Sequence, residues 1–450
     1  MEETKKLAQF ISELSYDDFP GDVIARAKES LMDYVGACLF SSEMEWSRIV
    51  IDFVNRLKST EEATIIARKE KTSTPLAALA NGTMGHGFEL DDVHDQSLTH
   101  PGAVVIPAAM AIGEREGIDG KLFITSIVLG YEVMARVGMV MGSSHILRGF
   151  HPTATNGTIA SAAVAAKILR LNREQILNAL GVAGSFASGL MEFSQSGGMI
   201  KRVHAGYAAQ NGINAALLAQ GGLTGPSTVL EGKYGYFKAF SDKYDLKDIV
   251  PDKHDYQIKH ISLKPYACCR MLHSVIDAIK FIQGSHHLPI PAIKTIDIGG
   301  NEKLVTQHEI YEPESIMSAQ YSLPFVSSLA LMRNIDDPGI FNDEILKDRE
   351  ILAMCKKVRS FKDPEIDRVF PEKFGAKVIL NLENGQKVEK TILNPKGHPE
   401  NPLSSEEVRR KFGDLSKNVL TPTQIERILD HVSHLEKLEN ILTLSKLFRN

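Results

Sequence analysis

The sequence predicts a mainly α protein: a large all-helical domain with a smaller α+β domain. Three observations predict this. Through the first 262 residues, apolar positions recur at helical spacing in one segment after another, many rich in Ala and Gly. After Ser262 the pattern turns to alternating β-branched runs and an Asn384-Gly385 turn. From residue 403 onward helical spacing returns. The expected division is a helical domain over 1–262, an α+β domain over 263–402, and C-terminal helices over 403–450 that rejoin the helical domain.

The elements follow in order. Asp22 to Phe40 carries Val23, Ile24, Ala27, Leu31, Tyr34, Val35 and Cys38 at helical spacing. Ser73 to Gly85 opens on a Thr-Pro step, and Pro101 to Gly113 begins with Pro and closes with Gly. Leu122 to Val140, Thr155 to Leu169, Glu174 to Phe186 and Ala205 to Gly221 complete the first helical set. Their small residues let helices approach closely, and helices apolar nearly all round are buried. In the second part, Ile293 to Ile298 alternates as a strand. Ala376 to Leu382 and Gln386 to Ile392 flank the Asn-Gly turn as a hairpin. Helices are expected at Leu272 to Ile282, Tyr321 to Leu331 and Asp343 to Lys356, then at Ser404 to Leu415 and Thr421 to Leu444.

Composition narrows the function. The chain has 450 residues, 43% hydrophobic and 24% charged, with a net charge of −5. That balance implies no general affinity for nucleic acid. The four cysteines, Cys38, Cys268, Cys269 and Cys355, form no CxxC pair and no zinc or iron–sulfur spacing. There is no GxGxxG, Walker or GxSxG motif. The start, Met1-Glu2-Glu3-Thr4-Lys5-Lys6, lacks the apolar core of a signal peptide. The longest apolar stretch, Ala103 to Ile112, is too short to span a bilayer. A cytoplasmic protein without a membrane partner is expected.

Chemistry concentrates in three islands. The first runs Gly85-His86-Gly87-Phe88-Glu89-Leu90-Asp91-Asp92-Val93-His94-Asp95, then Thr99-His100-Pro101. The second is Gly149 to Gly157, around His151-Pro152. The third is Gly197 to Gly206, with Lys201, Arg202 and His204 ahead of a small-residue helix. Buried polar and charged groups cost several kcal/mol unless paired. Carboxylates and imidazoles together also suit a metal, but no HExxH pattern accompanies them. The favoured reading is that the acids orient His100, because a carboxylate fixes an imidazole's tautomer. His151 repeats the His-Pro construction at a helix start, where an anion is favoured. A buried Lys201 needs an acid partner, which a bound carboxylate can supply. At the domain change, Lys264 to His273 joins Cys268, Cys269, Arg270 and His273. Arg270 is suited to carboxylate recognition by its planar fork. Tyr321 heads an apolar helix and carries a phenol able to donate a proton.

These residues resemble the MmgE/PrpD family, whose activities include 2-methylcitrate dehydration, cis-aconitate decarboxylation and iminodisuccinate epimerisation. The resemblance runs nearly the full length. It is most specific at Glu89-Leu90-Asp91-Asp92 with Thr99-His100-Pro101, at Gly149 to Gly157, and at Lys201-Arg202-Val203-His204-Ala205-Gly206. Where decarboxylase- and dehydratase-like members tend to read Asp-Phe-Asp-Asp-Thr, this chain has Glu89-Leu90-Asp91-Asp92-Val93. The resemblance implies a helical domain with a smaller α/β-sandwich-like lid, a homodimer, an active site at the domain interface, and no metal or organic cofactor. It implies catalytic roles for His100, His151, Lys201, His273 and Tyr321. Glu89, Asp91, Asp92, Arg202, His204 and Arg270 are expected to bind substrate. The expected function is a cofactor-independent lyase acting on a small di- or tricarboxylate. A 2-methylcitrate-type dehydratase comes first. A cis-aconitate-type decarboxylase and an iminodisuccinate-type epimerase are the alternatives, with a non-catalytic carboxylate-binding protein as the competitor from another class.

Overall fold

A computed structural model describes residues 2–250, 255–370 and 372–449. The chain divides into two compact units, Met1–Ser262 with Ser404–Asn450, and Leu263–Leu403.

The first unit is a stack of helices whose central members are buried on every side. Gly21–Ser41, Thr74–Gly85, Gly102–Glu116, Gly120–Leu147, Pro152–Ile168, Arg173–Phe186 and Ile200–Gln220 carry the spacing read from the sequence. Small residues set how tightly they pack. A Cβ added to Gly206 would lie 2.2 Å from the Leu79 carbonyl, and one on Gly82 would lie 2.7 Å from the Gly206 Cα. The Thr74–Gly85 and Ile200–Gln220 helices therefore cross backbone to backbone, which only glycine permits. That crossing brings the start of one helix, with Lys201 and His204, beside the end of the other, which leads into His86.

Three expectations are corrected here. The third helix of chemistry begins at Ile200, not Ala205, so Lys201, Arg202 and His204 lie within its first two turns rather than ahead of it. The long apolar segment is Gly120–Leu147, not Ala103 to Ile112. It has the length and apolarity to cross a bilayer but is almost wholly buried within this unit, as core helices are. Thr421 to Leu444 is not one helix. Pro422–Ser433 ends, and the next residues give their backbone to the loop before Gly120. Gly120 N–H donates to Leu438 O at 2.8 Å and Ile441 N–H to Ile118 O at 2.9 Å, which helical hydrogen bonding would forbid. Helices Glu3–Glu13 and Glu45–Arg56 were not read from the sequence.

The second unit is built on a four-stranded sheet ordered Val358–Lys362, Ile293–Gly300, Ala376–Leu382, Lys387–Ile392. Ile293–Gly300 pairs parallel with Val358–Lys362 and antiparallel with Ala376–Leu382. Ala376, Val378, Leu380 and Leu382 face the core alternately, as period-two patterning requires. The hairpin turns at Asn384-Gly385, with Gly385 at φ +85°. Helix His273–His286 packs on the hairpin strands. The expected Asp343 to Lys356 helix shortens to Arg349–Cys355, because Asp348 caps it with side-chain bonds to the N–H groups of Glu350 and Ile351.

Candidate active site

In the first unit, four imidazoles lie in a row. Ring centroids are 4.9 Å apart from His100 to His86, 5.8 Å from His86 to His151, and 5.2 Å from His151 to His204. Each comes from a different place. His86 caps the end of Thr74–Gly85, and His100 precedes the Pro101 that leads into Gly102–Glu116. His151 is the N-cap of Pro152–Ile168, and His204 stands one turn into Ile200–Gln220.

Asp91 organises one end of the row. Its Oδ2 accepts from His86 Nδ1 at 2.6 Å and lies 3.1 Å from His100 Nδ1. His100 Nδ1 also donates to the Asp92 carbonyl at 2.9 Å. A backbone carbonyl only accepts, so this nitrogen carries the proton and Nε2 is the atom that can exchange one. His100 is the most exposed of Asp91's two partners, at 16% against 0% for His86. The set His86, Asp91 and His100 has donor atoms close enough for a divalent cation. As bonded here, His100 would offer such a cation its Nε2, since its Nδ1 carries the proton.

At the other end, His151 Nδ1 and His204 Nδ1 are 3.0 Å apart, so one donates to the other. Burial pushes His86 and His204 down to about 4 and His151 well below the ordinary imidazole value, with the neighbouring Lys201 charge acting in the same direction. These three rings are neutral near pH 7. Beyond His204 lies a cavity of about 490 Å³ lined by Leu190, Glu192, Phe193, Ile200 and Tyr207 among others.

Lys201 is 4% exposed, and its partner is the chain's own Glu89. The acid that the sequence reading assigned to a bound substrate is already present. Glu89 sits at φ +57°, a left-handed conformation that is uncommon outside glycine and turns the loop toward Lys201. Asp92 turns the other way. Its carboxylate accepts from Gly102 N–H at 2.9 Å and Tyr131 OH at 2.5 Å, capping the next helix while its carbonyl holds His100. Burial pushes Asp92 up to about 7. Arg202 donates Nε to Gly87 O at 2.8 Å and lays its guanidinium 4.0 Å from the ring of Trp46, so it braces the same loop from behind. The structure thus brings together His100, His151, Lys201, His204, Glu89 and Asp91. Asp92 and Arg202 support them. His86, at the centre of the row, was within the first island but was not among the expected site residues. Its spacing of five from Asp91 was the available signal.

The other expected residues belong to the second unit. Arg270 is buried in the turn before His273, with its guanidinium 5.9 Å from the Phe374 ring. His273 is fully buried at the start of its helix, its Nε2 3.3 Å from Cys268 O. Tyr321 does not head the apolar helix. It ends the short helix Ile316–Gln320, and Leu323–Met332 begins after it because Ser322 caps that helix. Its carbonyl accepts from His308 Nδ1 at 2.7 Å, and the two rings stack at 6.0 Å. Burial would lower His308, but the Cys269 side chain and the Tyr321 carbonyl outweigh it and raise it. No sequence spacing pointed to His308.

Comparison with known proteins gives a consistent picture. The family described as MmgE/PrpD N-terminal domain matches residues 5–248, and MmgE/PrpD C-terminal domain matches residues 266–437. A cis-aconitate decarboxylase of Aspergillus terreus is 27% identical over 99% of this chain and 95% of its own length. A cis-aconitate decarboxylase-like protein of Aspergillus oryzae is 27% identical over 98% and 96%. The cis-aconitate decarboxylase of Homo sapiens is 26% identical over 99% and 94%.

Proposed function

Because the chain belongs to the MmgE/PrpD family, we propose that it is a cofactor-independent lyase that removes CO₂ from an unsaturated tricarboxylate of the cis-aconitate type. The names of its full-length relatives favour this decarboxylase over the 2-methylcitrate-type dehydratase that the sequence reading placed first. The observation that carries the reading is His100, its Nδ1–H held by the Asp92 carbonyl with Asp91 Oδ2 3.1 Å away, so that Nε2 is presented for proton exchange.

The chemistry balances with these groups. The bond from the saturated carbon to its carboxylate breaks, and its electron pair forms a new double bond to the central carbon. The original double-bond pair then takes a proton from the His100 imidazolium at Nε2, with Asp91 as counter-charge. Solvent reprotonates the ring. Charge building beside a substrate carboxylate is met by Lys201, held in its buried place by Glu89. His151, neutral through burial, is suited to hydrogen-bond the substrate rather than to carry charge. These steps draw on the first unit's residues. Roles for Arg270, His273 and Tyr321, a homodimer and a cytoplasmic location belong to the same proposal.

The test is turnover of cis-aconitate by purified, chelator-treated protein, followed by proton NMR in D₂O, with elemental analysis alongside. Release of CO₂ with one deuterium on the former alkene carbon is expected. Water loss from 2-methylcitrate instead would make the protein a dehydratase, and α-proton exchange in substituted succinates an epimerase. Thermal stabilisation by these acids without turnover would make it a binding protein. Activity that disappears on chelation and returns with a metal would overturn the cofactor-independent reading.

A further inference from the structure

The helix Ser405–Ser416 lies far along the chain from every residue of the imidazole row, yet it packs on Gly21–Ser41 in the same unit. Its capping box at Ser404 and Glu407 fixes its start, and Val408, Phe412 and Leu415 bury its inner face. On that helix, Lys411 reaches inward. Its Nζ donates to Asp33 Oδ1 at 2.6 Å and to the Leu90 carbonyl at 3.0 Å. The Lys411 side chain is 11% exposed and that of Asp33 only 1%.

Leu90 stands between the two residues that matter most in the acidic loop. Glu89 before it pairs with Lys201, and Asp91 after it receives His86 and holds His100. The loop is therefore gripped at three consecutive residues, and at the middle one, whose side chain is buried, the hydrogen bond is to the main chain. Buried carbonyls need a donor, and here a charged side chain from a distant segment provides it. Asp33 keeps that ammonium in place. Burial pushes Asp33 up, Lys411 opposes this, and the nearby Asp91 charge pushes it further up. Lys411 thus bonds at once a buried acid, Asp33, and the loop backbone at Leu90.

We propose that Lys411 is a positioning residue for the reaction: it fixes the Leu90 main chain and, through it, the Asp91–His100 pair. This rests on the reading of His100 as the proton carrier. The single His100 Nδ1–H donates to the Asp92 carbonyl at 2.9 Å while Asp91 Oδ2 lies 3.1 Å from the same nitrogen, an arrangement that sets where Nε2 points. A loop displaced by about half an ångström would lose it, because catalytic groups tolerate about that much misplacement.

The experiment separates positioning from mere support of the fold. Lys411→Met removes the cation bonded to the buried Asp33 and lowers the melting temperature. The double variant Asp33→Asn/Lys411→Met removes that buried acid as well and regains the melting temperature, yet still leaves the Leu90 carbonyl without its donor. Expected in both is a fall in kcat of about ten-fold or more with KM little changed, and Lys411→Arg restores most of the rate. The second readout needs no substrate: the His100 Nδ1–H proton in ¹⁵N-histidine-labelled protein, assigned by its absence in His100→Asn. It is expected as a downfield signal in the parent and lost to solvent exchange in the double variant. Recovery of kcat together with the melting temperature in the double variant would overturn the proposal, as would persistence of the His100 signal. If the parent turns over no carboxylate, the proposed reaction fails, and the histidine signal alone decides the role of Lys411.

Discussion

Replacing Asp91 by asparagine strikes the point on which the proposed chemistry depends. One oxygen, Oδ2, serves both His86 Nδ1 at 2.6 Å and His100 Nδ1 at 3.1 Å. An amide in the same place has two options. With its oxygen toward the rings, the His86 bond and the His100 contact survive but lose the carboxylate charge, about 1 kcal/mol each. With its NH₂ toward them, each ring would have to present an unprotonated Nδ1. His100 cannot do so without abandoning the Asp92 carbonyl at 2.9 Å, a further loss of about 1–2 kcal/mol. The total, about 2–4 kcal/mol, corresponds to roughly 30- to 1,000-fold in rate at 1.36 kcal/mol per decade. The effect belongs on kcat, since Asp91 orients the proton carrier rather than the substrate. The assay is CO₂ release from cis-aconitate across a substrate range, with a melting curve to confirm folding. A folded Asp91→Asn protein with kcat within three-fold of the parent would refute the role of the Asp91–His100 pair.

Other consequences follow from the same geometry. His86 and His204 are held near 4 by burial against an ordinary 6.5, so the unfolded chain takes up protons that the folded sites refuse. Stability should fall as pH drops from about 6.5 toward 4, and His204→Phe should flatten that slope in urea titrations. Asp92 acts in the opposite sense. Its carboxyl, pushed by burial from 3.8 to about 7, contributes stability that is full below 3.8 and lost as pH rises through about 7, and Asp92→Asn should remove this contribution. Glu89→Gln leaves the buried Lys201 ammonium without its acid and should destabilise by about 3–5 kcal/mol, with Glu89→Gln/Lys201→Met recovering much of it. Gly206→Ala forces a methyl to 2.2 Å from Leu79 O and should cost about 1–3 kcal/mol while lowering kcat, because Lys201 and His204 ride on the same helix; an unchanged melting curve would contradict it. Arg202→Gln removes the cation from the face of Trp46, the chain's single tryptophan, and an unaltered emission spectrum would count against that contact.

The helices of the first unit were legible because their apolar residues repeat strongly, and the hairpin because Asn384-Gly385 marks its turn. Val358–Lys362 was not legible. Only Val358 is buried, so an edge strand with exposed and half-buried residues shows no alternation. Glu45–Arg56 was missed although Trp46, Val50, Ile51 and Val54 are buried at helical spacing; its charged and polar remainder masked the stripe. In the site, His100, His151, Lys201 and Glu89 could be read because acids, bases and imidazoles among small apolar residues stand out. The directions of side chains could not. Asp91 and Asp92 are neighbours in sequence, yet one serves the imidazoles and the other caps a helix. Lys411 lies more than 300 residues from Leu90 and sits in an ordinary charged helix, so nothing local distinguishes it.

The segment Ser404–Asn450 completes a unit begun by Met1–Ser262. During synthesis the early helices leave the ribosome long before the residues that close their core, and Leu263–Leu403 is made in between. Lys411 arrives only after the acidic loop has waited through some 320 residues for its third grip. At about 5–20 residues per second, that interval is on the order of tens of seconds in which the unit has exposed apolar faces and no finished site. A nascent chain is therefore most open to chaperone capture and proteolysis through this interval. A chain released before Lys411 would carry every imidazole of the row and still lack the grip on Leu90.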